Sequence, residues 1–488
     1  MTIVVFAFFI LLSLFLAFLA KRGVVTANIQ DILVASRSLG GFLLFFITLG
    51  EIYGIGTMIG VPGAVYSKGS SYVIWFIAYI LLAYPVGYFI NPRIWRIGKI
   101  SNASTMGDFF AWRFESKWLG FIIAVISLIV LLPWAQMQFV GLSVVLRYLG
   151  IEINNNAAIC LSAVIAFMYV GLCGVKGSAY VAILKDLLMV SAIIIGGVLA
   201  ASHMPGGVEG IFREALVRYP EYLTVPMDPI DKHVTFVIST IVVQSLGLYM
   251  VPFIFQYIFS GGSEKIVRFN QLIMPLYMLM YAFLVTAAFY CLVTVPGLKN
   301  PDDAFMGMIV ANAPPWIIGL CAAAGALTCM LVLADVALGV SGILTRNILS
   351  MVAPNAPQTR VVTWARLCIA LFLGISVALT IFFPTLLLGL LNFAYFGFVQ
   401  FLPGVLAIIY WRRASKWGIV AGLTVGYICI ILFNMFPIVP FNINKGLVSL
   451  LANALTMGFI SMLSPVDEKS IAKLMLSRRS TSSPKAVR

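Results

Sequence analysis

The sequence predicts an all-α integral membrane protein. Of its 488 residues, 62% are hydrophobic and only 10% are charged, and the mean hydropathy is +1.05. A soluble core cannot bury so much apolar surface, and apolar runs near 20 residues, long enough to cross about 30 Å of hydrocarbon, recur along the chain. The first run has no basic segment before it and no small-residue cleavage site, so we expect a retained helix rather than a signal peptide.

About thirteen segments are long and apolar enough to span a bilayer. They cover residues 2–20, 41–66, 71–92, 118–146, 157–175, 178–201, 235–259, 271–296, 315–343, 361–383, 385–410, 417–436 and 446–464. We number them spans 1 to 13. Because the number is odd, the two termini are expected on opposite sides of the membrane.

The basic residues predict the orientation. With the N-terminus outside, 23 of the 31 Lys and Arg residues fall on the inner side and seven on the outer side. Since basic loops are retained in the cytoplasm, we predict an outer N-terminus, a cytoplasmic C-terminus and a location in the cell membrane. The net charge of +14 follows from this topology and from attraction to anionic lipid, so it does not indicate a nucleic-acid partner.

Two spans are interrupted. Residues 49–63 of span 2 contain five glycines and a proline around Glu51, and span 7 contains the sequence QSLG at 244–247 followed by Pro252. Backbone carbonyls that leave the helical ladder at membrane depth persist where they line a cavity or coordinate a ligand. Close packing through small residues is the alternative, and for span 7 it remains open.

The distance between the interruptions predicts an inverted repeat. Spans 2–6 and 7–11 form two sets of five, and because five is odd the second set enters the membrane from the opposite side. The predicted organisation is an N-terminal extra helix and inner loop (1–40), a first five-helix repeat (41–201), an outer loop (202–234), a second repeat (235–410), two additional helices (411–464) and a cytoplasmic tail (465–488). The inner segment 93–117 and the outer segment 203–234 could each carry a short surface helix.

Four ionisable side chains lie inside apolar spans: Glu51, Lys185, Asp186 and Asp335. A charge at membrane depth costs roughly 2.5 to 3.5 kcal/mol even on lenient insertion scales, so it is kept where it faces a cavity or a partner. These residues are the first candidates for function.

Other classes of protein are disfavoured. The two histidines, His203 and His233, lie in an outer loop, and the chain has no HExxH motif, which argues against an intramembrane enzyme. All seven cysteines fall within spans without a CxxC pair, so we expect neither a zinc site nor a disulfide framework, and no cofactor. A sensor or receptor built on a transporter-like core would usually carry an appended signalling domain. A channel is disfavoured because the two interrupted helices predict an occluded binding site near the midplane of the membrane.

Several motifs resemble the sodium:solute symporter family. They are SRSLGG at 36–41, GVPGAVY at 60–66, TMGDFFAWRF at 105–114, and PGV at 403–405 followed by YWRRASKWG at 410–418 and AG at 421–422. The resemblance extends over most of the chain. It implies a thirteen-helix transporter with a ten-helix inverted-repeat core, alternating access, and uptake of a small solute driven by sodium.

The resemblance also implies positions for a sodium ion. Its ligands would be the carbonyls of Gly50 and Tyr53 on span 2 and, on span 9, the carbonyl of Thr328 together with two hydroxyl side chains. Those two hydroxyl positions fall at Leu331 and Val332, which supply no oxygen. A hard cation needs about five or six oxygens, so a retained sodium would have to use Gly50, Tyr53, Thr328 and Asp335.

The chain offers charge in place of the missing hydroxyls. Asp335 shares a helix face with Thr328, and Lys185 and Asp186 enter span 6 at a comparable depth. One hypothesis is that Lys185 replaces sodium by pairing with Asp335, and that protonation of Lys185, Glu51 or Asp335 couples transport to protons. The alternatives are sodium bound through a rearranged site containing Asp335, and a static Lys185–Asp335 pair that fixes helix register.

The solute pocket is expected between spans 2, 4, 7 and 11. The predicted contacts are Glu51, Gly54, Gly56, Thr57, Gln244, Ser245, Gln256, Tyr395 and Gln400. These residues have small, polar or aromatic groups suited to one modest organic molecule. A sugar would need more hydrogen-bonding side chains, so a monocarboxylate or a small amino acid fits better.

Overall fold

The computed structural model describes residues 1–21, 33–150, 154–170, 175–225, 234–436 and 442–479. Within these residues the regular structure is helical, and one isolated backbone bridge joins Leu39 to Gly261. Cys173, His233 and the last nine residues of the predicted tail lie outside the described residues. The other six cysteines are free.

The first half of the chain forms nine helices among its described residues. They are α1 (Thr2–Lys21), α2 (Gly41–Ile52), α3 (Val61–Lys68), α4 (Ser70–Ser101), α5 (Met106–Phe114), α6 (Lys117–Arg147), α7 (Asn155–Val170), α8 (Val175–His203) and α9 (Gly207–Arg218). A π-helical turn (Gly56–Gly60) precedes α3, and 3-10 turns occupy Ala35–Arg37 and Pro220–Leu223.

The described residues of the second half continue with thirteen helices. They are α10 (Val234–Gly247), α11 (Ile254–Ser260), α12 (Glu264–Ile273), α13 (Tyr281–Thr294), α14 (Ala304–Asn312), α15 (Pro315–Ile343), α16 (Ser350–Val352), α17 (Gln358–Phe382), α18 (Leu387–Phe398), α19 (Leu402–Tyr410), α20 (Lys416–Met435), α21 (Lys445–Leu463) and α22 (Glu468–Arg479). Short 3-10 turns lie at Leu248–Met250, Met274–Met280, Pro301–Asp303 and Val399–Phe401, and a π-helical turn at Leu344–Leu349.

The described helices account for the predicted spans in order. Ten segments are long and apolar enough to cross a membrane, and two bent helix pairs raise the number to twelve. The remaining predicted span, 157–175, coincides with α7, which runs into residues outside the described part of the chain. The protein is therefore a multi-pass α-helical membrane protein, as its composition predicts.

The predicted surface helices are present, but one boundary differs. Helix α9 lies in the outer segment and α5 in the inner one. Span 3 was expected to end near residue 92, whereas α4 continues to Ser101 through two internal prolines, Pro85 and Pro92. In a membrane helix, neighbouring helices can satisfy the backbone groups that a proline frees, so neither proline ends the helix.

Helix α15 is the centre of the molecule. It packs against α1, α6 and α8, and nearly all of its residues are buried. Helix α2 packs on α8, and α10 packs on α4. Residues 47–60 and 247–260, which include the two breaks, are all buried, so the breaks face the interior of the protein rather than lipid.

Arg37 anchors the N-terminal end of the first interrupted span. Its guanidinium donates hydrogen bonds to the carbonyl oxygens of Phe259, Gly98 and Ala103 at 3.2, 3.0 and 2.6 Å. Since these acceptors belong to α11 and to the end of α4 with the residues after it, Arg37 joins three parts of the chain where α2 begins.

Candidate functional site

The two interrupted spans are bent where the sequence predicts. The segment Gly41–Ile52 meets Gly56–Lys68 at 43°, and Val234–Met250 meets Ile254–Ser260 at 55°. At the first break the N–H of Thr57 bonds to Gly54 O at 3.0 Å, which leaves Tyr53 O without its usual helical donor. The break thus turns backbone carbonyls toward the interior.

Lys185 fills the position between these carbonyls. Its ammonium donates to Gly50 O at 3.0 Å, to Tyr53 O at 2.7 Å and to Asp186 Oδ1 at 3.0 Å. An ammonium has three N–H groups, so all of its donors are used. Lys185 and Asp186 are 0% and 1% exposed. The ammonium therefore binds the two carbonyl oxygens that the resemblance assigns as sodium ligands.

The predicted direct pair between Lys185 and Asp335 is wrong. The carboxylate within ion-pair distance of Lys185 Nζ is that of Asp186, its neighbour in sequence. The lysine stem is long and flexible enough to place Nζ beside both the broken span and the adjacent residue. Asp335 instead faces Glu51, Ser178 and Tyr257.

Glu51 and Asp335 form a second group of buried charges. They come from α2 and α15, and their side chains are 2% and 1% exposed. The Tyr257 hydroxyl donates to Glu51 Oε1 at 3.4 Å. Among the described residues, neither Glu51 Oε2 nor either Asp335 oxygen has a hydrogen-bond partner.

The three predicted ligand positions on α15 supply no free hydroxyl. Methyl groups of Leu331 and Val332 lie 3.6 and 3.9 Å from where a Cβ would stand on Gly50 and Gly54. They pack against the break and offer only carbon atoms there. The Thr328 hydroxyl donates to Ala324 O of its own helix at 2.7 Å.

A small, nearly closed cavity lies beside the first break. It is lined by Glu51, Ile52, Gly54, Gly56, Thr57, Phe76, Tyr79, Trp134, Met137, Gln138, Val332, Leu391 and Tyr395. Five predicted solute contacts are in this set: Glu51, Gly54, Gly56, Thr57 and Tyr395. They come from spans 2 and 11, two of the four spans between which the pocket was expected.

Four predicted solute contacts are not among the lining residues. Gln244 accepts from Trp75 Nε1 at 2.6 Å and donates to Asn392 at 3.1 Å, so its amide is committed to helix packing. Ser245 donates to Val242 O of its own helix, and Gln400 contacts Asn453 of α21. Gln256 lies against Gly342 instead.

Sequence reasoning expected span 4, which is α6, at the pocket without naming any of its residues, and it missed span 3, which is α4. Phe76 and Tyr79 come from α4, and Trp134, Met137 and Gln138 from α6. Trp134 Nε1 and Gln138 Oε1 are buried and have no partner among the described residues. Polar side chains beside Pro133, in the middle of an otherwise apolar span, were the signal that could have identified this wall.

Comparison with known proteins decides the family. The sequence profile of the sodium:solute symporter family matches residues 32–426. The chain belongs to the sodium:solute symporter family. It is a secondary active symporter and not an enzyme.

Relatives of this symporter match over nearly the whole chain. An uncharacterized symporter of Bacillus subtilis, YhjB, is 28% identical over 93% of this chain and 95% of its own length. A monocarboxylate transport permease protein of Rhizobium johnstonii is 24% identical over 87% and 86%. A solved Na⁺-coupled sialic acid symporter has the same fold, with a TM-score of 0.79, 14% identity and coverage of 95% and 98%.

Proposed function

We propose that this symporter imports a small organic solute carrying a carboxylate group, a monocarboxylate or a small amino acid, in symport with sodium. The observation that supports the solute class is the cavity beside the broken span, with its aromatic walls and few polar groups. Trp134 Nε1 is a buried N–H donor in this wall and has no acceptor in the part of the chain that the structure describes. A carboxylate oxygen would accept a hydrogen bond from it.

The position of Glu51 is the observation that supports a cation being required for solute binding. Its carboxyl group lines the cavity, and Asp335 lies beside it. A solute carboxylate approaching two buried carboxylates is repelled, whereas a cation bound between them removes that repulsion. Binding of the cation and binding of the solute would then favour each other, which is the thermodynamic basis of symport. A relative named as a monocarboxylate permease is consistent with this solute class.

Proton coupling is the second candidate. It is favoured by Lys185, whose ammonium contacts both carbonyls that the resemblance assigns to sodium. If no sodium binds elsewhere, a proton has to carry the coupling charge.

Uptake by proteoliposomes distinguishes these candidates. The panel is pyruvate, lactate, acetate, alanine, proline and glucose, each with an imposed sodium gradient or an imposed proton gradient. We expect sodium-driven accumulation of at least one carboxylate-bearing solute and none of glucose. Accumulation driven by protons alone would replace sodium with the second candidate, and glucose as the only substrate would exclude the proposed solute class.

A pair of tryptophan variants on α6 tests the cavity itself. Trp134→Phe removes this N–H and should raise the KM for the transported solute about tenfold to a hundredfold, since a hydrogen bond to a charged group contributes about 1.5 to 3 kcal/mol. Trp118→Phe is the matched control, because Trp118 is exposed on the same helix and stacks on Phe121. Equal KM values for the two variants would place the solute elsewhere.

A further inference from the structure

A second cavity, rich in arginine, lies where the C-terminal helix α22 meets α4 and α19. Its volume is about 290 Å³, and its lining residues are Arg93, Arg96, Ile97, Ile409, Tyr410, Ser477 and Arg478. It lies on the side of the protein that the basic residues predict to be cytoplasmic. None of these described lining residues is acidic, so the cavity favours an anionic ligand.

Arg93 is the side chain best placed to bind such a ligand. Its guanidinium carbon lies 5.2 Å from the centroid of the Tyr410 ring, and the guanidinium also donates to Phe89 O of its own helix. No carboxylate of the described residues lies within 4.0 Å of its nitrogens. Stacking on the ring orients the guanidinium without using its five N–H groups, so several of them remain for a ligand.

The other two arginines complete the wall of the cavity. Arg96 donates to Glu264 of α12 from Nε at 3.0 Å and from Nη2 at 2.6 Å. Arg478 of α22 donates from Nη2 to the carbonyl oxygen of Tyr410 at 3.0 Å. Glu264 therefore neutralises Arg96, whereas Arg93 has no such partner among the described residues. The cavity keeps a positive charge.

The helix face that leads to Arg93 is a lipid-facing surface. Leu82 and Phe89 precede Arg93 on this face of α4 at helical spacing, and their side chains are 45% and 61% exposed. Large apolar side chains exposed on a membrane span contact acyl chains, and the headgroups of those lipids lie at the end of the span. Arg93 is thus placed where a phospholipid presents its phosphate, whose oxygens match a guanidinium in geometry and charge.

We propose that this arginine cavity binds the phosphate group of an anionic phospholipid, and that the bound lipid holds α22 against α4 and α19. The headgroup is anionic rather than zwitterionic, because no described lining residue offers a carboxylate to compensate the ammonium of choline. The inference does not depend on the solute or on the coupling ion, so its failure leaves the proposed symport untouched.

Thermal unfolding of the full-length protein in detergent micelles tests the site. Phosphatidylglycerol, phosphatidylcholine or inorganic phosphate is added at the same phosphate concentration, since a ligand of the folded state raises the unfolding temperature. We expect phosphatidylglycerol to raise it about twice as much as phosphatidylcholine does, and Arg93→Gln to lose at least half of that difference. Arg412→Gln is the matched control. It removes the same charge from an exposed position two residues after Tyr410, outside the cavity lining, and should keep the full difference.

The outcomes separate a site from general surface charge. Equal effects of the two lipids, or an equal loss in Arg93→Gln and Arg412→Gln, would overturn the proposal. An effect of inorganic phosphate as large as that of phosphatidylglycerol, abolished in Arg93→Gln, would overturn the lipid as the source of the phosphate. If size-exclusion chromatography shows that Arg93→Gln does not fold, Arg478→Gln takes its place. This variant alters an exposed residue of α22, and a full difference between the lipids in it would contradict the site.

Discussion

At the scale of single residues, Lys185 shows what a sequence pattern can and cannot reveal. Its position inside an apolar span identified it as a functional candidate, and the structure places its ammonium on Gly50 and Tyr53. The predicted partner, Asp335, was wrong. Asp186 was not expected as the partner, because side chains at i and i+1 of a helix do not normally face each other. Only the break in span 2 draws Nζ to a point where the adjacent Asp186 can also reach it.

Replacement of Lys185 should destabilise the protein more than replacement of an exposed lysine. Lys185→Gln leaves Asp186 as an unpaired buried charge, which typically costs about 3 to 5 kcal/mol. The double variant Lys185→Gln with Asp186→Asn removes that charge and should recover part of the loss. Thermal unfolding in detergent micelles measures both variants. Lys265→Gln, at an exposed site, is the control, and a double variant no more stable than Lys185→Gln would contradict a structural ion pair.

At the scale of helices, the interrupted span depends on a close approach near its C-terminal end. A Cβ on Gly63 of α3 would stand 2.9 Å from both Pro301 O and Asp302 Oδ1. Asp302 Oδ2 in turn accepts the N–H of Leu387, the first residue of α18, at 3.1 Å. Burial raises the pKa of Asp302 to about 6. The turn at Pro301–Asp303 therefore joins α3 to the N-terminus of α18.

Gly63→Ala should loosen this junction. Its methyl group would collide with backbone that cannot move aside freely, and overpacking of this kind costs about 1 to 3 kcal/mol. We expect a lower unfolding temperature and slower uptake. Gly458→Ala is the matched control, since no atom lies within 4 Å of the point on α21 where its added methyl group would stand. A Gly63→Ala protein as stable and active as this control would show that the contact is unimportant.

At the scale of the whole molecule, the apolar runs predict the number and order of the helices, and the basic loops predict their orientation. The number and order of the helices follow the hydrophobic pattern, because in a bilayer backbone groups must be satisfied within each helix. The orientation is a separate prediction, made from the excess of Lys and Arg on one side.

Labelling of single cysteines tests the orientation. Lys299→Cys and Arg412→Cys introduce thiols at exposed loop positions on opposite predicted sides. In intact cells, a membrane-impermeant maleimide should label Lys299→Cys, and it should label Arg412→Cys only after the membrane is permeabilised. The unaltered protein measures the background from native cysteines. The reverse labelling pattern would mean that the N-terminus is cytoplasmic and the C-terminus lies outside.

The sequence by itself determined the helical membrane fold, the two breaks, and the buried charges at Glu51, Lys185, Asp186 and Asp335. These depend on local properties, since hydrophobicity, glycine content and the cost of a charge in hydrocarbon act at each position. The assignment of Leu331 and Val332 to the ion site stays a prediction from the resemblance.

Only the tertiary structure decided which of these groups meet. The cavity wall from α4 and α6, the commitment of Gln244 to Trp75, and the convergence of Ser178 and Tyr257 on Asp335 all join residues distant in sequence. Helical periodicity shows which face of a helix a residue occupies, but it does not show which other helix covers that face. That choice depends on the packing of all the helices together, and it sets the partners of every buried charge.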